Sequence, residues 1–336
     1  MITASPHARL SSPTPGWREL WRDAITDPVE LLQAVGLGGR ADLLPPDDAG
    51  FALRVPRGFV ARMRRNDPLD PLLLQVLPQR AEHDQAEGFT LDAVGDMASK
   101  AGHGVLHKYD GRALLIASGS CAINCRYCFR RHFPYGEEIA AASQWHEALA
   151  HVKADPSIRE LILSGGDPLA LATHKLEELT RSLADLPHII RLRIHSRLPV
   201  VLPERVDDAF IGWLTAVPLQ KVVVLHANHA NELDASVDAA CARLRAAGAT
   251  VLNQSVLLRG INNDADTLAE LSERLFAAGV LPYYLHQLDR VQGAAHFEVD
   301  DKRALALMEA LRARLPGYLV PRLVREVGGD ASKRPL

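Results

Sequence analysis

Cys121, Cys125 and Cys128 stand in the run Cys121-Ala-Ile-Asn-Cys125-Arg-Tyr-Cys128-Phe-Arg130-Arg131, a C-x3-C-x2-C spacing. Thiolates are soft ligands that suit iron–sulfur clusters and zinc. A cubane ordinarily takes four cysteines. Three leave one iron of a [4Fe–4S] cluster without a protein ligand, open to a substrate or cosubstrate. Aromatic side chains follow two of the cysteines and would shield a cluster from water. The interleaved arginines can offset its negative charge or bind an anion. Zinc is the alternative, with His132 able to complete a set. Zinc sites, however, usually show two C-x2–4-C pairs or Cys with His at set distances. The fourth cysteine, Cys241, lies in a helical-looking run and reads as a small buried hydrophobe.

Such a loop needs a scaffold to hold it. The chain has 336 residues, enough for one large or two medium domains. Its 47% hydrophobic and 24% charged content is ordinary for a soluble protein. A net charge of −3 gives no nucleic-acid footprint. No apolar run approaches the ~20 residues that span a bilayer, so no membrane role is expected. Met1-Ile-Thr-Ala-Ser-Pro6 lacks the basic-then-apolar pattern of a secretory signal. Three clustered cysteines out of four do not make a disulfide framework, so a cytoplasmic, reducing setting is expected.

Residues 1–100 read as a helical N-terminal segment. Thr14-Pro15-Gly16 breaks the chain, and Trp17, Leu20, Trp21 and Ile25 then share one apolar stripe. Asp27-Pro28 starts a helix that Gly36 and Gly38 stop. Asp67-Pro68-Leu69-Asp70-Pro71 is turn chemistry. No chemistry is assigned here, and the tryptophans read as packing residues. Residues 101–336 read differently. Short β-rich runs at 114–117, 161–164, 192–195, 222–225, 251–256 and 283–286 alternate with amphipathic stretches such as 176–184 and 267–276. Alternation about every 30 residues implies βαβ units and a parallel sheet with right-handed crossovers. Six strands do not close an eight-stranded barrel. The expectation from the pattern is an α/β fold with its chemistry at the C-terminal strand ends, and the family resemblance carried by the motifs that follow implies a partial (β/α)6 barrel.

Polar motifs follow these strands. Ser164-Gly165-Gly166-Asp167 comes after the second. Alone it reads as a turn, but glycines at a strand end let a ligand approach the backbone, and a carboxylate there can accept from an ammonium. His195-Ser196-Arg197 and His226-Ala-Asn228-His229 follow the next two.

In this order the motifs resemble those of radical S-adenosylmethionine (SAM) enzymes. With Arg130-Arg131 after the last cysteine, the chain is similar to the lysine 2,3-aminomutase family among them. The resemblance covers residues ~100–336 by ordered motifs and the N-terminal region loosely. It implies that SAM chelates the open iron and that one electron cleaves it to a 5′-deoxyadenosyl radical. Ser164, Gly165, Gly166 and Asp167 then bind SAM. It also implies pyridoxal 5′-phosphate (PLP), held as a Schiff base by Lys333 in a glycine-rich C-terminal segment. Lys108-Tyr109-Asp110-Gly111-Arg112 matches the family's phosphate-binding segment, with Lys108 where the family has arginine. That exchange keeps the charge and loses the bidentate fork, so Arg112 carries the assignment. Gln254 and Ser255 would both point into the barrel near PLP.

For the substrate, the resemblance implies that Arg130 binds the carboxylate of L-lysine, while Asp289 and Glu326 bind its ε-ammonium. Free-lysine enzymes of the family have aspartate in place of Glu326. The extra methylene shifts the oxygens by ~1 Å, worth ~10²-fold unless compensated. A glutamate-specific homologue should lack this acid pair. The length, Glu326 and the lack of a cysteine-bearing tail are similar to the branch that makes (R)-β-lysine for elongation factor P. There a ligase related to lysyl-tRNA synthetase attaches it. A reduced flavodoxin or ferredoxin is the implied electron donor, and family members often form homo-oligomers. The rival within the class is a lysine aminomutase of a catabolic or secondary-metabolite pathway. The rival outside it is a non-catalytic zinc-stabilised interaction domain, which predicts no iron, no bound PLP and no SAM cleavage.

Overall fold

The computed structural model describes residues 15–44, 50–143, 145–183 and 185–336. The readings that fell on residues 1–14 and on Ala184 lie outside the described residues.

Ten strands form one sheet in chain order: β1 (Lys100–Gly102), β2 (Val105–Tyr109), β3 (Arg112–Ser118), β4 (Glu160–Gly165), β5 (Arg191–Ser196), β6 (Gln220–His226), β7 (Ala249–Val256), β8 (Leu281–His286), β9 (Arg322–Arg325) and β10 (Arg334–Pro335). Strands β3 to β9 are parallel. β1 and β2 extend one edge antiparallel, and β10 folds back on β9 at the other. The sheet is therefore open. The six expected strands are β3 to β8. β9 and β10 escape the sequence pattern because four and two residues are too short for a period to show.

The crossover helices His146–Ala154, Thr173–Leu183, Asp208–Ala216, Ala235–Ala246, Ala265–Ala277 and Asp301–Arg314 cover the outer face. Four begin at an aspartate whose carboxylate accepts from amides of the first turn: Asp207, Asp234, Asp264 and Asp300. Each such cap is worth about 1 kcal/mol. Strand alternation sorts the two faces. On β5, Leu192 and Ile194 are 1% exposed and join the core, while Arg193 and His195 between them line the inner cavity. Outer-face residues Leu163, Ile194, Val223 and Val251 meet Leu179, Phe210, Leu244 and Leu275 of the helices in one apolar core. Cys241 is fully buried there.

Among its described residues, the N-terminal segment holds short α-helices, Trp17–Arg22, Pro28–Ala34, Arg57–Val60 and Pro71–Leu74, and three single 3-10 turns. Its Leu31, Val55, Phe59 and Leu72 are fully buried in that same core. Asp27 and Asp70 cap two of the helices ahead of their prolines. Among the described residues, no helix is long and apolar enough to cross a membrane.

Candidate active site

A cavity of about 1010 Å³ opens on the inner face, at the C-terminal ends of the parallel strands. It is lined by Cys121, Cys125 and Cys128 after β3, and by Ser164, Gly165, Gly166 and Asp167 at the end of β4. Lys108, Arg112, Arg130 and Gln254 also line it, as do Asp289, Glu326 and Lys333. These residues, up to 225 positions apart in sequence between Lys108 and Lys333, thus share one space, roughly the size range of a large ligand site.

The cysteine loop is fixed from behind. Arg126, 0% exposed, donates to Glu82 Oε1 at 2.8 Å and to the Phe51 carbonyl at 2.8 Å, and Arg131 donates to Glu82 Oε2 at 2.8 Å. Arg197 Nη1 donates to Cys125 Sγ at 2.7 Å. Burial, then the neighbouring Cys125, pushes the Cys128 thiol up to about 11. Burial and the other thiols raise Cys121 further. His132 lies at the surface, with Nε2 3.2 Å from the Gln292 carbonyl, outside the cavity lining.

The glycines at β4 are required by chain against chain. Gly165 has φ +116°, and a Cβ there would stand 2.6 Å from the Ser118 carbonyl oxygen. A Cβ on Gly166 would stand 2.7 Å from that of Ser120. The root of the cysteine loop runs directly over them, pinned by Gly166 N to Ser118 O at 2.7 Å and Asp167 N to Ser120 O at 2.9 Å. Asp167, expected among the SAM-binding residues, already has protein partners for its carboxylate. It accepts from Ser196 Oγ at 2.7 Å and from the amides of Leu169, Arg197 and Leu198 at 2.8–3.0 Å. A carboxylate has about four acceptor sites, so Asp167 ties β4 to β5 and has little left for a ligand ammonium.

A chain of alternating charges crosses the other side. Arg130 donates to Asp96 Oδ2 at 2.6 Å and to Ser164 Oγ at 3.1 Å. Lys108 Nζ lies 2.7 Å from Asp96 Oδ1 and donates to the Val94 carbonyl at 2.9 Å and to Glu326 Oε1 at 3.0 Å. Lys108, expected beside the phosphate, is thus already engaged by protein acceptors. Lys333 Nζ donates to the second oxygen of Glu326. The seven-residue spacing of that pair follows from the β9–β10 hairpin. Arg334 pairs with Arg325, which sets Lys333 opposite Glu326, and Gly329 takes the turn at φ +86°. Burial works to raise Glu326, but Lys333 and Lys108 outweigh it and hold it at about 2. Asp289 is the opposite case. Burial, then the Glu326 charge, pushes it up to about 7, and its Oδ1 is buried without a partner.

Arg112 lies 4.6 Å from the Tyr109 ring centroid and pairs with no carboxylate among the described residues. Gln254 faces the cavity beside His226. Ser255 does not, which corrects the expectation for that residue. Its hydroxyl donates to the Ala227 carbonyl at 2.8 Å and accepts from Asn253 Nδ2 at 2.9 Å on the opposite face. Successive residues of a strand point to opposite sides, so both could not face inward. The sequence reading missed Asp96, Glu82 and Gln75, all in a segment given no chemistry. Nothing in their local pattern separates them from ordinary turn and surface acids or amides. Burial holds His226 down at about 4 and also lowers His195 and His286, favouring their neutral forms. Nε2 of His195 and of His286 has no protein partner.

Residues 115–271 match the Radical SAM superfamily. L-lysine 2,3-aminomutase of Escherichia coli (strain K12) is 51% identical over 322 residues, 95% of this chain and 94% of that protein. The chain belongs to the lysine 2,3-aminomutase family. The Haemophilus influenzae member is 46% identical over 94% of both chains, and that of Clostridium subterminale 33% over 95% of this chain and 78% of its own. A radical SAM methyltransferase from Sphaerobacter thermophilus superposes with a TM-score of 0.48 at 19% identity, over 66% of this chain and 68% of its own.

Lysine 2,3-aminomutases are radical SAM isomerases, and the family's cofactors are a [4Fe–4S] cluster, SAM and PLP. The residues present fit that set. Three thiols open onto one cavity. Among the described residues no three Cys, His, Asp or Glu side chains converge on a single-ion site. A cubane needs only one thiolate per iron, not three on one ion. Its binding must displace the protons that burial keeps on Cys121 and Cys128. For PLP the cavity offers the amine of Lys333 and the guanidinium of Arg112, which has no carboxylate partner among the described residues. The partnerless buried atoms of Asp289, His195 and His286 are what a ligand would satisfy.

Proposed function

We propose that this chain converts (S)-α-lysine to (R)-β-lysine. The observation that carries the reading is the acid pair Asp289–Glu326 in the same cavity as the cysteine loop and Arg130. A substrate with an ammonium at one end and a carboxylate at the other matches it. When bound, the cluster and SAM supply a radical that takes a hydrogen from lysine Cβ, and PLP supplies the π-system across which the amino group moves.

This chain's residues bind, orient and exclude. Cys121, Cys125 and Cys128 hold the cluster. Backbone of the Ser164–Gly166 stretch meets the SAM amine, while Asp167 keeps that stretch in place. Arg130, oriented by Asp96, offers its guanidinium to the substrate carboxylate. Lys333 is the amine that takes PLP, with Arg112 on its phosphate and Gln254 nearby. With Lys333 engaged by PLP, Glu326 would keep Lys108 as its partner and would have capacity for the ε-ammonium. Asp289 supplies the second oxygen pair.

The product is proposed to feed the β-lysylation of elongation factor P in the cytoplasm, with a reduced flavodoxin or ferredoxin as electron source. Glu326, where the free-lysine enzymes have aspartate, is what supports this branch. The deciding experiment is anaerobic. The protein is reconstituted with iron, sulfide and PLP, reduced, given SAM and L-lysine, and assayed by chiral mass spectrometry. (R)-β-Lysine is expected. SAM cleavage with lysine untouched would remove the Asp289–Glu326 assignment and leave the radical core. For the pathway, cells lacking this chain should lose the β-lysyl mass on elongation factor P; retention would assign the product elsewhere.

A further inference from the structure

Arg197 follows β5 and is 7% exposed. Its Nη1 donates to Cys125 Sγ at 2.7 Å, and its Nη2 donates to Gln75 Oε1 at 2.6 Å and Glu232 Oε2 at 2.9 Å. The guanidinium also lies 5.6 Å from the Phe59 ring centroid and 5.8 Å from that of Tyr127. Its partners are themselves held. Glu232 Oε1 accepts from Gln75 Nε2 at 3.0 Å and the Asn228 amide at 2.8 Å. Gln75 Oε1 also accepts from Asn228 Nδ2 at 3.0 Å and the Tyr127 hydroxyl at 3.2 Å. Gln75 and Glu232 are 0% exposed and Asn228 is 1% exposed. An ion pair this dry is costly to build, and in this one the guanidinium is aimed at a sulfur.

We propose that Arg197 is a positioning residue that sets the reduction potential of the cluster through Cys125, with Glu232 as its counter-charge. This rests on Cys125 being a cluster ligand. The step concerned is the entry of one electron from a low-potential donor, [4Fe–4S]2+ becoming [4Fe–4S]+, with no proton moved. The added negative charge strengthens an N–H···S bond, so the donor stabilises the reduced state and raises the potential. Glu232 cancels most of the guanidinium charge in a site where charges are weakly screened. The two residues therefore act in opposite directions. Without Arg197 the cluster is harder to reduce. Without the Glu232 charge it is easier.

The test is a redox titration of the reconstituted full-length protein, followed by the electron paramagnetic resonance of the reduced cluster. Arg197→Gln should carry full iron with its midpoint displaced to more negative potential. Arg197→Lys, which keeps the charge and loses the fork, should fall between it and the wild type. Glu232→Gln should move the midpoint to more positive potential. Unchanged midpoints in iron-replete Arg197→Gln, or shifts of the same sign in Arg197→Gln and Glu232→Gln, overturn the proposal. If Arg197→Gln does not take up iron, Glu232→Gln decides alone, and an unmoved or lowered midpoint there overturns it. A wild-type chain that takes up no iron removes the cluster reading itself, a different failure.

Discussion

Around the cysteine loop the buried charges are matched within the protein: Arg126 and Arg131 with Glu82, Arg197 with Glu232, and Asp167 with three amides and a hydroxyl. At the β8–β9 side of the same cavity, Asp289 Oδ1 and Nε2 of His286 are buried without partners, and Arg112 has no carboxylate. The first region has its charges paired before any ligand arrives, although Nε of Arg131 and of Arg197 keeps no partner, and that pairing presets its geometry. The second carries uncompensated polar groups that cost stability in the free protein and regain it from a bound ligand. One cavity thus divides into an end whose charges are paired within the protein and an end that leaves polar groups for a ligand.

The sharpest way to break this contrast is at the anchors. Replacing Cys121, Cys125 or Cys128 by alanine should remove iron and SAM cleavage together. Retention of both in one variant would move that cysteine out of the set. Lys333→Ala should abolish PLP absorbance and β-lysine formation while iron content stays at wild-type level; loss of iron as well would show that the two ends are not independent.

Next in size is Asp289→Asn. Removing one member of a buried charge contact costs about 2–5 kcal/mol, on the order of 10²-fold in the Michaelis constant for lysine. The constant for SAM should stay put, and equal effects on both would argue against ε-ammonium binding. The same residue gives a pH signature. Its carboxyl is raised from 3.8 to about 7 in the fold, so the unfolded chain ionises first. Stability lost to this group is absent below pH 4, grows as pH rises toward 7, and levels off above. Melting temperature against pH should show that decline in the wild type and less of it in Asp289→Asn. Lysine should bind more weakly below pH 7, where its partner is protonated. A flat profile for lysine affinity between pH 6 and 8 would count against the assignment.

The smallest effect is expected at Ser255→Ala. Its hydroxyl faces away from the cavity, so PLP affinity should change less than about threefold, while stability falls by about 1 kcal/mol. A large loss of PLP would put the residue back in the site.

Much of the site was legible because its chemistry is carried by residue type and spacing. Three cysteines, a Gly-Gly-Asp after a strand and a lysine beyond two glycines each mean little alone, but in order they point one way. The six strands β3 to β8 were visible as apolar runs. What stayed hidden were partnerships across distance. Asp167 looks like a ligand carboxylate until β5 is laid beside it, and Lys108 looks free until Asp96 and Glu326 flank it. Ser255 was misplaced by reading two neighbours on a strand as sharing a face. Asp96, Gln75 and Glu82 carry no local signal, since a buried partner is defined by what folds against it.

The β9–β10 hairpin has a dynamic consequence. Lys333 is carried by a pairing of only two residues at the edge of the sheet, the kind of element that opens without the rest of the molecule. What keeps it closed is the ion pair of Lys333 with Glu326, itself braced by Lys108. Amide hydrogens of Leu336 and Asp330 should therefore exchange with solvent far sooner than those of β6 in the middle of the sheet. Exchange there should accelerate with salt, as the charges that latch the hairpin are screened. The cavity amine of Lys333 would then sit on a strand held by two residue pairs, able to swing out while the cysteine end stays shut.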